Sequence, residues 1–372
     1  MTSVRDPVMT SVSLARAPSN IALIKYMGKK ELPGNIPENG SLSVTLEALC
    51  TYAEISRAPA AVVTEEWIPE LPTIPKKDLV GSPVVPALSE KAAERALRHL
   101  RAVREAAPKL FSEFGIAPNN EVSKWSLRTA NTFPAASGIA SSASSFAAIT
   151  LSTAFAMARE PAEFAKNWAK NPALKGALAR LARAGSGSSC RSLTGPFVLW
   201  EQEDAEPLPV SQAFPELAHF VLLVSDQEKA VSSSQAHALV KTSPLWIGRV
   251  ERVQERLTKM QLAFRRGDLD AIARIAWNEA WEMHSLFHTC SEPFSYWTGD
   301  TMALLQWLSP FLSGAKPPIV TLDAGPNIHL LVQAADATEW QERLRASFPA
   351  IRLLRDKPGA GAVAISHKGP RP

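Results

Sequence analysis

The sequence predicts an α+β protein of two lobes. Its 372 residues exceed the length at which a single hydrophobic core usually stops growing. Short apolar runs typical of strands are mixed with longer amphipathic runs typical of helices, without the regular alternation of a doubly wound sheet. Apolar residues make up 46% of the chain and charged residues 20%, which is ordinary for a globular protein.

Two kinds of pattern define the elements of the first lobe. Residues 41–46 alternate in polarity and include β-branched side chains, which favours a strand. Residues 88–107 place apolar side chains at every third or fourth position opposite Glu and Arg, which favours an amphipathic helix. By the same criteria we expect strands at 122–127 and 195–200 and one or two helices across 161–183.

The boundary between the lobes is predicted at the acidic stretch 201–206, which Pro207 and Pro209 follow. We therefore predict an N-terminal domain at 14–203 and a C-terminal domain at 210–368. In the second domain we expect strands at 220–224, 318–322, 328–332 and 360–365, and helices at 244–266, 269–287 and 300–312.

The charges and the cysteines argue against several classes of protein. The formal net charge is +4 and the arginine runs are interrupted by glutamates, so we expect no nucleic-acid partner. Cys50, Cys190 and Cys290 lack the spacing of metal ligands, and we interpret them as reduced thiols of a cytoplasmic protein. The histidines show no metal-binding spacing either, so no protein metal ligand is predicted.

Two segments are the candidates for a signal peptide or a membrane-spanning helix. The first 13 residues have no apolar core of the kind found in signal peptides. Residues 130–158 carry no charge, but they contain six serines and three threonines and are too polar for a spanning helix. We expect a buried helix there and no membrane association.

The most informative segment is 131–146, in which small and hydroxyl residues dominate. Small side chains let backbone N–H groups approach a ligand, and a helix N-terminus carries unpaired N–H groups and a partial positive charge. The segment therefore suits a phosphate, although a surface loop leading into a buried alanine-rich helix explains it equally well. The expected nucleotide-binding residues are Ser137, Gly138, Ser141, Ser142 and Ser144. A second hydroxyl-rich run, 229–235, is explained by a helix N-cap alone.

Three further segments carry side chains that could act on an anion. An apolar run ends at Lys25 and Tyr26, although a lysine with its stem along a strand is also common. Residues 185–192 combine small hydroxyl residues with Arg191, whose guanidinium can bind a carboxylate or phosphate with two hydrogen bonds. A plain Gly-Ser linker is the alternative, but such linkers rarely lead directly into Cys-Arg and a strand, so we favour the anion site. Asp323 follows an apolar strand and precedes a Gly-Pro turn, where a carboxylate serves either as a general base or as a turn former.

Together these segments resemble the diphosphomevalonate decarboxylase family of the GHMP kinase superfamily. The resemblance is carried, in chain order, by residues 17–29, 39–46, 131–146, 185–193 and 323–327. It implies a two-lobed GHMP kinase fold with the active site in a cleft between the lobes. It also implies ATP-dependent decarboxylation of mevalonate 5-diphosphate to isopentenyl diphosphate, with ATP and Mg²⁺ as cofactors, and a homodimer.

The resemblance also implies roles for individual residues. Asp323 matches the family's catalytic aspartate, Arg191 matches the arginine that holds the substrate carboxylate, and Lys25 matches a lysine near the reacting oxygen. The expected substrate-binding residues are Tyr26, Lys29, Ser186, Ser188, Ser233 and Lys91.

Three positions depart from the family pattern. Met27 stands where a tryptophan is usual, and Gly40 replaces a serine. Lys91 lies near the place of an arginine that binds the substrate diphosphate, and a lysine lacks the guanidinium fork. A related kinase or decarboxylase acting on mevalonate or its monophosphate is therefore the alternative function.

Overall fold

The computed structural model describes residues 11–57, 64–119, 124–134, 139–227 and 229–368. The strands in that part are β1 (Ser11–Ile24), β2 (Ser41–Arg57), β3 (Glu66–Ile68), β4 (Trp125–Asn131), β5 (Phe197–Glu201), β6 (Asp204–Pro207), β7 (Leu217–Leu223), β8 (Ile319–Thr321), β9 (Ile328–Gln333), β10 (Arg352–Asp356) and β11 (Val363–Lys368). One sheet has the order β11-β1-β2-β4-β3, with β5 paired to β2 and β6 to β5; the other has the order β10-β7-β9-β8.

Helices cover both sheets. They are α1 (Glu90–Glu113), α2 (Ser141–Met157), α3 (Pro161–Lys170), α4 (Pro172–Gly185), α5 (Ser233–Leu239), α6 (Arg249–Arg266), α7 (Leu269–Thr289), α8 (Gly299–Leu308) and α9 (Ala337–Ser347). Helices α1 to α4 pack with the first sheet around one core, α8 and α9 pack on the second sheet, and α6 and α7 lie against β1. The mixture of sheets and helices confirms the predicted α+β class.

Helix α2 explains the long uncharged segment. It packs against β1, β2 and α1, and most of its side chains are buried, including Phe146, Ile149 and Phe155. A helix buried on nearly all sides needs apolar and small residues around its whole circumference. No helix in the described ranges is long and apolar enough to cross a membrane.

Several element boundaries differ from the predicted ones. Helix α1 continues past Pro108 to Glu113, beyond the predicted end at residue 107. The helix predicted from residue 244 begins at Arg249 instead, because Gly248 has a left-handed backbone with φ of 70° and closes a separate short turn. Prolines and glycines mark such interruptions, but sequence alone does not say on which side of them the helix forms.

The acidic stretch predicted as a linker is partly a strand. Strand β6 pairs with β5 in a hairpin, so the first sheet extends to Pro207. Strand β11 also joins the first sheet, where Leu14 lies opposite Ile365. The chain therefore returns to the first sheet at its end, whereas the division into domains at 14–203 and 210–368 stays a prediction.

Candidate active site

A cavity of about 610 Å³ is lined by residues from both halves of the chain. Strand β1, the start of α2 and the turn after α4 contribute from the first half, and α5 and the β8–β9 loop contribute from the second. The predicted site residues among its walls are Lys25, Tyr26, Lys29, Ser141, Ser142, Ser186, Ser188, Arg191, Ser233 and Asp323. Lys25 and Asp323, which are 298 residues apart in the chain, thus meet in the wall of one cavity.

Four predicted residues are not placed in this cavity. Ser137 and Gly138 lie outside the described residues. Ser144 is buried, and its hydroxyl bonds Thr51 at 2.7 Å because it lies on the face of α2 that packs on the first sheet. Lys91 is exposed and does not line the cavity; one helical turn further along α1, Arg95 does. The structure thus corrects the expected placement of Ser144 and Lys91.

Lys25 and Asp323 form an ion pair in the wall of the cavity, with Nζ and Oδ1 2.9 Å apart. The Lys25 side chain is 1% exposed and that of Asp323 is 26% exposed, so the carboxylate is the accessible partner. Burial lowers the pKa of Lys25, and the Asp323 carboxylate opposes that shift. Lys25 Nζ also donates to the backbone carbonyl of Ala22 at 2.6 Å, which orients the ammonium group.

Backbone and side-chain contacts fix the loop that carries Asp323. The Gly325 N–H donates to the Asp323 carbonyl at 2.7 Å, and His284 Nε2 lies 3.1 Å from the same oxygen. The Thr321 hydroxyl donates to the Ala22 carbonyl at 2.9 Å, which ties β8 to β1. The carbonyl of Asp323 thus forms the turn while its carboxylate pairs with Lys25, so the carboxylate is not the turn former.

Arg191 lies on the short 3₁₀ helix Gly187–Ser192 and is buried. Its Nε donates to Asn20 Oδ1 at 3.2 Å, its Nη1 donates to the Ser41 hydroxyl, and its guanidinium lies 5.4 Å from the Trp200 ring centroid. Burial lowers its pKa, and the nearby Asp323 carboxylate opposes that shift. These contacts hold the guanidinium rigidly, as recognition of a planar anion requires.

The first turn of α2 offers a phosphate-binding surface. Ala140 precedes the helix in a left-handed conformation, and within the described part of the chain no side chain caps the N-terminus of α2. The Ser186 hydroxyl donates to the Ser142 hydroxyl at 3.3 Å, which links this turn to the segment that carries Arg191. Uncapped N–H groups at the start of a 17-residue helix favour a negatively charged ligand.

Five polar residues in or beside the cavity wall are not predicted from the sequence. Asn20 orients Arg191, Glu279 accepts the Lys25 backbone N–H at 3.2 Å, and Arg95, Lys229 and His237 line the cavity. Burial lowers the pKa of Lys229, whose ammonium donates to the Ala324 carbonyl beside Asp323. Asn20 and Lys229 lie in segments that the sequence singles out; the others carry no local signal.

Two family models match the chain. The Diphosphomevalonate decarboxylase-like N-terminal domain matches residues 17–208, and the Mevalonate 5-diphosphate decarboxylase C-terminal domain matches residues 219–360. Together the two matched ranges include most of both sheets, although not β11, and every described wall residue of the cavity.

Individual relatives agree with these models. The diphosphomevalonate decarboxylase of Saccharomyces cerevisiae is 31% identical over 87% of this chain and 78% of its own length; that of Homo sapiens is 29% identical over 90% and 80%. A crystal structure of a mevalonate diphosphate decarboxylase from Legionella pneumophila is 35% identical, with a TM-score of 0.73 over 92% of this chain and 100% of that one.

A second solved structure, described as MDDEF in complex with MVAPP, AMPPCP and magnesium, is 26% identical, with a TM-score of 0.76 over 96% of this chain and 100% of that one. The similarity extends over nearly the whole length of both chains, which confirms the predicted GHMP kinase-type fold. The chain belongs to the diphosphomevalonate decarboxylase family.

Proposed function

We propose that this chain catalyses the ATP-dependent decarboxylation of mevalonate 5-diphosphate to isopentenyl diphosphate, with release of ADP, phosphate and carbon dioxide. One observation carries the proposal: the Lys25–Asp323 ion pair, the buried Arg191 and the uncapped start of α2 line a single cavity. The activities named for the relatives support the same reaction.

The residue types fit the chemistry of this reaction. The tertiary hydroxyl of mevalonate is a poor leaving group until ATP phosphorylates it. Asp323 accepts or orients the hydroxyl proton, and the ion pair with Lys25 holds the carboxylate in place. Arg191 holds the substrate carboxylate so that its carbon–carbon bond breaks as phosphate departs. A rigid guanidinium lowers the barrier by alignment, because it does not have to reorganise during the reaction.

The remaining wall residues fit the other groups of the two substrates. Tyr26, Lys29, Ser186, Ser188 and Ser233 are proposed to bind mevalonate 5-diphosphate, and Ser141 and Ser142 the nucleotide phosphates. Two further cations of the cavity wall, Lys29 and Arg95, favour a diphosphate over a neutral group.

The donor set fits magnesium bound with the nucleotide. In the described ranges no cluster of three or more histidines, cysteines and carboxylates could hold a metal ion. Mg²⁺ keeps several waters and binds largely through substrate phosphates, so the hydroxyls of Ser141 and Ser142 would hold the ion together with the nucleotide phosphates. The ion would neutralise negative charge on the transferred phosphate. The neighbour bound to AMPPCP and magnesium supports both cofactors.

The assembly, location and domain division are also proposals. We propose a homodimer on the family resemblance, which light scattering of the purified protein tests. The free, buried cysteines support a cytoplasmic protein, and the interspersed charge supports the absence of a nucleic-acid or membrane partner. The family-model boundaries support domains at 14–203 and 210–368.

An assay with three substrates tests the proposed reaction. Purified protein is incubated with ATP, Mg²⁺ and either mevalonate, its monophosphate or its diphosphate, and ADP and carbon dioxide are measured separately. We expect equal amounts of both products with the diphosphate. ADP without carbon dioxide would identify a kinase, and turnover restricted to mevalonate or its monophosphate would overturn the proposed substrate.

A further inference from the structure

His237 lies on α5 and faces the cavity with its two ring nitrogens in different environments. The backbone N–H of Gly28 donates to Nδ1 at 3.0 Å. A neutral imidazole has one donor and one acceptor nitrogen, so this bond assigns the proton to Nε2. The ring centroid lies 4.5 Å from that of Tyr26, which fixes the orientation of the imidazole.

The Nε2–H group is a free donor. No described residue accepts a hydrogen bond from it. The Nε2 atom is also not fully buried, since it is absent from the fully buried polar atoms that lack a partner. Because His237 lines the cavity, this donor is accessible from it. Burial, together with the nearby charge of Lys29, lowers the pKa of His237 to about 3, so the ring stays neutral at physiological pH.

Two cations of the cavity wall lie near His237. Gly28, its hydrogen-bond partner, precedes Lys29 in the chain, and the charge of Lys29 acts on the imidazole. Lys29 Nζ donates to Asn35 Oδ1 at 2.8 Å, and the charge of Arg95 contributes to the lowered pKa of Lys29. This part of the wall therefore combines two cations with one neutral donor, a set that suits the oxygens of a polyanion.

We propose that His237 donates a hydrogen bond from Nε2 to an oxygen of the substrate's diphosphate and so determines substrate specificity. The proposal rests on the proposed function and adds a residue to it. Lys29 and Arg95 attract the anion through charge, whereas the fixed imidazole selects the position of one oxygen. Because the donor is directional and neutral, it discriminates between phosphate geometries without adding charge.

Two variants test this role. His237→Phe keeps an aromatic ring beside Tyr26 but removes the donor, and His237→Gln offers both a carbonyl to Gly28 and an N–H to the cavity. For His237→Phe we expect the KM for mevalonate 5-diphosphate to rise about tenfold, as for loss of a hydrogen bond to a charged group, with little change in kcat. The KM for ATP should not change, and His237→Gln should recover most of the loss.

Three results would overturn the proposal. The first is an unchanged KM in His237→Phe. The second is a fall in kcat at constant KM, which would place the donor beside the reacting groups instead of the diphosphate. The third is a His237→Gln variant whose KM is no lower than that of His237→Phe. If the wild-type protein forms no carbon dioxide from the diphosphate, the proposed function itself fails, so the two failures are distinguishable.

A measurement on the wild-type protein covers the case in which His237→Phe does not fold. In protein labelled with ¹⁵N-histidine, the Nε2 resonance that is absent from His237→Gln should shift when mevalonate 5-diphosphate is added. Unphosphorylated mevalonate should leave it unchanged. A resonance unmoved by the diphosphate would overturn the proposal.

Discussion

The two ends of the cavity hold their lysines differently. Lys25 is buried, paired with Asp323 at 2.9 Å and bonded to the Ala22 carbonyl. Lys29, four residues later, is half-buried and bonds Asn35 at 2.8 Å. The wall at Lys25 and Asp323, the reacting end, is thus more buried than the wall at Lys29 and Arg95, the open end. Under the proposed function, the difference teaches that fixed geometry is concentrated where bonds change and that more exposed charge holds the substrate.

Buried charge anchors the reacting end to the helices behind it. Glu279 on α7 is fully buried, and its Oε1 accepts from the backbone N–H of Lys25 at 3.2 Å. Arg249 pairs with both of its oxygens, and Arg256 Nη1 donates to its Oε2 at 2.8 Å. Because a buried carboxylate needs compensating charge, these arginines stabilise Glu279, which in turn holds the backbone just after β1.

The largest effect should come from removing the accessible carboxylate of the reacting end. Asp323→Asn keeps the side-chain shape but removes the base and the counter-ion of Lys25. We expect ADP and carbon dioxide formation to fall together by about 10³-fold, while nucleotide binding persists. Asp204→Asn, which alters an exposed ion pair with Arg180, is the matched control. Near-normal ADP formation in Asp323→Asn would remove this carboxylate from the mechanism.

The second effect concerns the anchor behind Lys25. Glu279→Gln leaves Arg249 buried with part of its charge uncompensated, so we expect the free energy of unfolding to fall by about 3 kcal/mol. Glu282→Gln is the control, because Glu282 is 15% exposed and water can replace part of its interactions. Chemical denaturation measures both variants, and equal losses would contradict the special position of Glu279.

A smaller effect should distinguish two cations of α1, Arg95 and Lys91. Arg95 lines the cavity and donates to the Gly185 carbonyl at 2.7 Å, whereas Lys91 does not line it. Arg95→Ala should raise the KM for mevalonate 5-diphosphate about tenfold, as for loss of one charged contact, and Lys91→Ala should not change it. A larger effect from Lys91→Ala would restore the placement expected from sequence.

The smallest effect should be that of mild acid on catalysis. Burial lowers the pKa of His284 at the reacting end, and of His237 at the open end, to about 3. Neither ring gains a proton between pH 8 and about 5 in the folded state, so mild acid should change kcat/KM only through the phosphate groups of the substrates, whose own pKa values lie at about 6. In ¹⁵N-histidine NMR spectra, titration of either ring near the usual histidine pKa of about 6.5 would contradict the neutral state of both rings.

The lowered pKa values of His237 and His284 also make the free energy of unfolding depend on pH. Because the folded-state pKa of each ring lies below its unfolded value, the unfolded chain binds more protons between about pH 6.5 and 3. The free energy of unfolding should therefore be highest above that window and fall as the pH is lowered through it. Denaturation curves at several pH values check the slope.

The sequence predicted the reacting end better than its surroundings. Lys25 and Asp323 each follow a strongly apolar strand, and strand ends are legible from local patterns. The position of Arg95 was missed because a pattern of helical periodicity does not fix which neighbouring turn faces a cavity. The Glu279 anchor was missed because charges three or four residues apart on a helix usually indicate a solvated face.

Non-local pairing accounts for most of the remaining differences. The return of β11 to β1 joins residues about 350 positions apart, and nothing in residues 360–365 identifies their partner. The hydroxyl of Ser144 was expected in the cavity because the serine-rich run looks alike along its length. Its contact with Thr51 depends on how α2 lies on the first sheet, which local pattern does not encode.

The most direct test of the division between the two ends compares Arg191→Lys with Lys29→Met under identical conditions. Arg191→Lys keeps the charge but loses the fork that aligns the carboxylate, so kcat should fall by about 100-fold with little change in KM. Lys29→Met should raise the KM for mevalonate 5-diphosphate about tenfold and leave kcat nearly unchanged. If both variants changed the same kinetic parameter, the assignment of alignment to one end and binding to the other would be contradicted.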